Sequence, residues 1–505
     1  MNAASFQGSG TAALLGVFLA VPLSAAAYRT LPDTDQSLCF DTAAVVEEPL
    51  QGEPFYGQDA QYQGLQPAYQ DNGDGTVTDL NTGLMWQQEL PPGKMTWEEA
   101  MAGADTCGTG GYDDWRLPSV RELYSLIQFS GTDPSGPDPH NPIPFIDTDY
   151  FEFQYGDTLA GERLIDAQYW SSTVYQGLTM NGDSTAFGVN FADGRIKGYP
   201  RAEAGPPGRG FIMTSFVRYV RGDAYGQNQF VDNGDGTVTD TSTGLMWQQS
   251  DDGTARNWED ALAFAEDLEL AGYDDWRLPD ARELQSIVDY NRSMQSTGSP
   301  AIDPVFSCTQ ITDEGGGPNY GFYWTGTTHQ GTIPGEEGRF AVYIAFGEAL
   351  GWMTAPDSTW VLQDVHGAGA QRSDPKTGDP SQYPHGHGPQ GDVIRIFNFV
   401  RSVRSTGTGL EQEGGGGSPS ITLQVAGPNP FSGTTALVYS VGSACHADIS
   451  VYDTGGRKVA VLLDEFISAG AGTVQWDPSG LPCGTYICLL DAEREQESRK
   501  LLLIP

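Results

Sequence analysis

The stretch "DNGDGTVTD" at residues 71–79 and the "TGLMWQQ" at 82–88 both return unchanged, at 232–240 and 243–249. The separation is 161 residues, and the pairs Trp86/Trp247, Trp97/Trp258 and Trp115/Trp276 keep it. A constant separation means that no residue was gained or lost across the first half of the repeated unit. Later it drifts: "YWSST" at 169–173 answers to "YWTGT" at 323–327 after 154 residues, and "FVRYVRG" at 216–222 to "FVRSVRS" at 399–405 after 183. The second copy has therefore gained a segment, placed near 351–391. A period this long exceeds the ~20–50 residues of a solenoid unit and marks a duplicated domain. Its copies run over 69–222 and 229–405.

Each copy has the same local grammar. "GTVTDLNTGLMWQ" alternates around an Asn81-Thr82-Gly83 turn and predicts short paired strands. Helix starts follow, with Thr96/Glu99 and Ser119/Glu122 in capping-box register, and Asn257/Asp260 and Asp280/Glu283 as their counterparts. Val120, Leu123, Tyr124 and Ile127, like Ala281, Leu284, Ile287 and Val288, supply the inner face of the second helix. Alternating aromatic and Gly-punctuated runs such as "STAFGVNFADGRIKG" close the unit as a second set of strands. The expected fold class is α+β, in units of about 150 residues.

Composition bounds the partners. Against 26 Lys+Arg stand 66 Asp+Glu, a formal charge of -40. Such a chain repels polyanions, which excludes nucleic acid and disfavours anionic lipid and sulfated polymers. "TAALLGVFLAVPLSAAAYRT" at 11–30 has the apolar core and small-residue end of a signal peptide, predicted over 1–27, although no Lys or Arg precedes it. No other stretch approaches the ~18 apolar residues of a membrane helix, so no membrane insertion is expected. After export the six cysteines would meet an oxidising compartment, and their pairing is open. Residues 28–68 read as an N-terminal linker segment and 406–419, rich in Gly and Ser, as a flexible linker. Short alternating runs over 420–505 read as an antiparallel β-sandwich.

The motifs "DNGDGTVTDxxTGLMWQ", "GYDDWRLPxxREL", "YWSST" with "FGVNFADGRI", and "FVRYVRG" resemble the Lcl C-terminal domain family, the terminal domain of a collagen-like bacterial adhesin. The WRLP element before a helix and the closing V-R strand also resemble the C-type-lectin-like fold used by formylglycine-generating enzymes. That resemblance implies two tandem C-type-lectin-like binding modules. The catalytic use is not implied, because these copies carry a single cysteine each, Cys107 and Cys308, at non-equivalent positions. The tail, with Pro428-Asn429-Pro430-Phe431, Tyr452-Asp453, Gly456-Arg457, Gly484-Thr485-Tyr486 and Lys500 before "LLLIP", resembles the type IX secretion C-terminal sorting domain and the immunoglobulin-like domain of flagellar hook-capping proteins. It implies contact with the secretion machinery and a secreted or cell-surface location on the bacterial outer side.

Two sets of candidate site residues follow. Asp71, Asp74 and Asp79, with Asp232, Asp235 and Asp240, could offer oxygens to Ca2+, but the spacing is not that of an EF-hand and Asn-Gly and Asp-Gly pairs are turn chemistry, so the turn is preferred. Calcium is the one cofactor considered. Trp170, Ser172, Asn190, Asp193 and Arg195, with Trp324 and Thr325 in the second copy, combine aromatic rings and polar groups as saccharide sites do; a core tryptophan beside a hairpin turn is the preferred reading. "YPHGHGPQGD" at 383–392 reads as a surface loop rather than a His-x-His metal site. No G-x-S-x-G, H-E-x-x-H or phosphate loop occurs. The expectation is a non-catalytic, adhesin-like surface protein that binds a glycan or a protein; the alternative is a structural component of the envelope or matrix.

Overall fold

The computed structural model describes residues 31–135, 141–204, 210–355, 357–406, 421–425, 431–441, 445–453, 457–467, 470–492 and 495–504. The predicted signal peptide and most of the Gly/Ser linker lie outside them. The chain is mostly β with short helices and small antiparallel sheets. Among the described residues no helix is long and apolar enough to cross a membrane.

In the first copy, β1 (Tyr69–Asp71), β2 (Thr76–Asp79) and β3 (Met85–Gln87) form a meander. Helices α1 (Trp97–Gly103) and α2 (Val120–Tyr124) start on the predicted Thr96 and Ser119 capping boxes. Strands β4 (Gln168–Val174), β5 (Thr185–Asn190) and β6 (Arg195–Pro200) follow, and β7 (Val220–Arg221) returns to pair with β3. The second copy repeats this as β8 (Phe230–Asp232), β9 (Thr237–Asp240), β10 (Leu245–Gln248), α3 (Trp258–Glu266) and α4 (Ala281–Ser286). It continues with β11 (Phe322–His329), β12 (Phe340–Ala345), an added hairpin of β13 (Leu350–Thr354) and β14 (Trp360–Asp364), then β15 (Gln371–Pro375) and β16 (Val403–Ser405). The extra length of this copy therefore falls in two places, before and after β15, rather than in one block over 351–391.

Although the sequence reads as two modules, the copies share one six-stranded sheet, ordered β11-β12-β15-β6-β5-β4. Its centre is a contact between equivalent positions. Tyr169 pairs with Val189 and Val189 with Ile196; Tyr323 pairs with Ile344 and Ile344 with Gln371. Ile196 and Gln371 are thus counterparts, and they face each other across the seam. Only a local two-fold relation brings like positions together in this way. The arginines 161 residues apart obey it too, since Arg121 donates to the Val288 carbonyl and Arg282 to the Ile127 carbonyl. One core runs through both copies and joins Val77, Trp86 and Leu123 to Val238, Trp247 and Leu284.

The segment read as a linker is packed down. Gln36 exchanges two hydrogen bonds with the Thr328 backbone, at 2.7 and 2.8 Å, and Asp59 accepts from Thr34 at 2.7 Å and Thr327 at 2.5 Å. It covers the outer edge of β11. The five described cysteines, Cys39, Cys107, Cys308, Cys483 and Cys488, form no disulfide, so packing rather than crosslinking holds these elements.

In the tail, β17 (Ile421–Val425), β18 (Thr435–Val441), β19 (Cys445–Asp453), β20 (Lys458–Ile467), β21 (Gly470–Trp476), β22 (Gly484–Ala492) and β23 (Glu495–Leu503) form a three-stranded and a four-stranded antiparallel sheet. Leu437, Ile449, Trp476, Leu490 and Leu501 belong to a core of its own.

Candidate functional site

The residues singled out in the sequence are placed as structure. Asp71 accepts from the Gly73 amide at 2.8 Å, Asp74 from Thr76, and Asp79 from the Asn81 and Thr82 amides. Asp232, Asp235 and Asp240 do the same at Gly234, Thr237 and Ser242. Each carboxylate serves its own turn, as the preferred reading had it, and Asp240 also accepts from the Asn228 side chain and the Gln229 amide. Among the described residues no group of three or more His, Cys, Asp or Glu side chains could hold a metal ion.

The proposed saccharide residues are likewise turned inward. Trp170 and Trp324 are wholly buried, and their indole N–H groups donate to the Met95 and Arg256 carbonyls at 2.9 Å. Neither offers a face to a ligand. Ser172 donates to the Pro118 carbonyl, Asn190 to that of Ile165, and Thr325 to that of Val342. Arg218 and Arg401 donate to main-chain carbonyls such as those of Gln88 and Gln249, and Arg401 also lies 4.0 Å from Asp251. Their partners on the same strands, Arg221 and Arg404, do bind acids, Asp114 and Asp275 at 2.6 Å.

Asp193 and Arg195 lie in a buried ionic cluster along the seam. Asp193 binds Lys197 at 2.5 Å and Arg195 at 3.4 Å, and Arg195 reaches Asp133 at 2.8 Å. On the second copy's side Asp392 binds His366 at 2.7 Å and Arg372. Burial alone would raise the Asp193 carboxyl, but Lys197 and Arg195 hold it down at about 2. Burial, aided by Arg195 and Arg372 respectively, pushes His329 and His366 down to about 4.

Asp364 behaves in the opposite sense. It accepts from the Tyr175 hydroxyl at 2.7 Å and the Gly367 amide at 2.8 Å, yet burial, with Glu348 adding to it, pushes its carboxyl up to about 7. The folded chain keeps this proton below that value, whereas the unfolded chain releases it near pH ~4. The contribution is complete below the unfolded value and is lost as pH rises through about 7. Asp364→Asn is therefore expected to lessen the fall in Tm between about pH 4 and about pH 7, as read by thermal melts of both proteins. An equal fall in both would contradict it.

The open site lies elsewhere, in the second copy. A groove of about 660 Å³ is walled by Phe322, Trp352, Tyr383, Phe397 and Phe399, with Arg395 and Glu314 at its polar end. The added hairpin supplies Trp352, and Asp357 turns that hairpin by accepting from the Thr359 amide and hydroxyl at 3.0 and 2.6 Å. The loop after β15 packs against it closely, since a β-carbon at Gly391, φ 60°, would collide with the Trp352 carbonyl. Arg395 is fixed from three sides. Its guanidinium lies 4.0 Å over the Phe322 ring and binds Glu314 through Nε and Nη2 at 2.9 and 3.1 Å. The amides of Arg395 and Ile396 both donate to Asp374 at 3.0 Å. That contact holds Ile396 at φ 65°, a strained conformation for a β-branched residue. The Arg395 Nη1 remains buried without a partner.

The first copy differs at the equivalent place. Lys94 stands where the second copy has Ala255, lies 5.0 Å over Phe216, the counterpart of Phe399, and is tied to Glu162 at 2.6 Å. The sequence signal for the groove was the second copy's departure from the first, with a tryptophan on each strand of the added hairpin.

These features define a pair of fused, mostly β modules, with an aromatic groove in the second, joined to an export domain. The Lcl C-terminal domain model matches residues 75–206 and 236–360, just over half of the chain, so the chain belongs to the Lcl C-terminal domain family. A secretion system C-terminal sorting domain model matches residues 427–504. The protein is accordingly secreted or attached to the outer surface, and its tail engages the secretion machinery. No curated protein matches the chain.

Proposed function

We propose that this is a non-catalytic recognition protein of the bacterial outer surface, that its repeats are C-type-lectin-like and its tail an immunoglobulin-like sandwich, and that it binds a glycan in the groove of the second copy. The observation that carries the reading is the groove itself. Aromatic walls for the apolar faces of sugar rings stand beside the Arg395–Glu314 pair, whose partly exposed carboxylate suits a sugar hydroxyl. Its volume falls in the ~300–1,000 Å³ range of small-molecule sites.

A glycan array with the purified full chain tests it. Saturable binding to uncharged glycans is expected, retained in EDTA. Ala255→Lys should abolish it with Tm unchanged, because the first copy already accommodates lysine there. Binding that survives Ala255→Lys, or no glycan bound at all, would refute the reading.

A further inference from the structure

Resting on the glycan reading of the groove, we infer that the ligand is an uncharged oligosaccharide that leaves the groove past Trp352 and continues over Trp360. In the added hairpin Trp352 pairs with Leu362 and Thr354 with Trp360. Cross-strand partners share a face of a hairpin, as do residues two apart on one strand, so both tryptophans lie on the same face as diagonal neighbours about 7–8 Å apart. His385 joins them: its ring stacks on Trp360 at 4.3 Å and 13° and meets Trp352 edge-on at 6.0 Å. Trp352 is thus both a wall of the groove and the first tile of an outer shelf. Trp360, capped by His385 on one face, is still 46% exposed, more than any other tryptophan among the described residues.

A single sugar fills only the groove; it cannot reach the shelf as well. A chain can occupy both, and the exposed tryptophan then has an occupant of matching chemistry. The charge of -40 rules against a polyanionic chain, which would be repelled on approach, and the Arg395 guanidinium in the groove rules against a cationic one. Arg395 commits its Nε and Nη2 to Glu314, and the partly exposed Glu314 carboxylate is the polar group left to meet a hydroxyl.

Calorimetric titration of the full chain with malto-, cello- and chito-oligosaccharide ladders, from the monosaccharide upward, tests the inference. In the ladder that binds, affinity should rise roughly three- to tenfold once the chain reaches the shelf, the worth of one aromatic stacking contact. Trp360→Ala should remove that rise and leave the shortest ligands unaffected, while Trp352→Ala weakens every length. Affinity independent of length, or a rise that survives Trp360→Ala, overturns the shelf and leaves the groove intact. Failure of every ladder, or binding that survives Ala255→Lys, overturns the groove reading itself.

Discussion

Replacing Asp193 by alanine is expected to destabilise the body of the protein by about 3–5 kcal/mol, the usual cost of removing one partner from a buried ion pair. The carboxylate is wholly buried and faces Lys197 at 2.5 Å and Arg195 at 3.4 Å, with Arg372 also acting on it. Without it, three cations would share the seam with Asp133 and Asp392 alone. Lys197, already lowered to about 8 by burial, would shed its proton more readily and recover part of the loss. Denaturant unfolding followed by tryptophan fluorescence reads the change, and a loss under about 1 kcal/mol would mean that water already screens the cluster. The two copies should unfold in a single transition in both proteins, because one sheet and one core span them.

Trp170→Ala and Trp324→Ala are each expected to cost about 3–5 kcal/mol, as large-to-small changes in a packed core do. Each indole fills the centre of a copy, Trp170 among Ala186, Val217 and Tyr219 and Trp324 among Leu262, Leu278 and Val400, and its N–H satisfies a carbonyl that would be left without a partner. Any loss of ligand binding in these variants should therefore track unfolding and disappear when measured on the folded fraction. Trp352→Ala should do the reverse, weakening binding while leaving the melting curve nearly in place. Intact stability in Trp170→Ala, with binding lost, would return that residue to the site.

Much of the fold was legible. The capping boxes at Thr96, Ser119 and Asp280 start helices where the spacing placed them, and Asn257 caps α3 through the Asp260 amide. The aspartate-rich turns are legible because each carboxylate bonds an amide two or three residues on, a local matter that local sequence encodes. The preferred reading of Trp170 and Trp324 as core residues agrees with their full burial, although β11, buried along its whole length, has no alternation to betray an inner face. The seam was hidden. The contacts of Arg121 with Val288 and of Arg282 with Ile127 span more than 150 residues and carry no motif. The groove was not read: the insertion stood only as added length with a surface loop at 383–392, because the walls come from residues far apart in the chain, from Phe322 to Phe399.

The near-symmetry at Ile196 and Gln371 has an evolutionary corollary. A homodimer built on this axis would carry every change twice, so a loop enlarged near the axis would meet its own image. Once both halves are written in one reading frame, the copies can specialise: one keeps the plain "ADGR" turn as a foundation, and the other is free to elaborate. Two copies in one chain have the freedom to be lopsided.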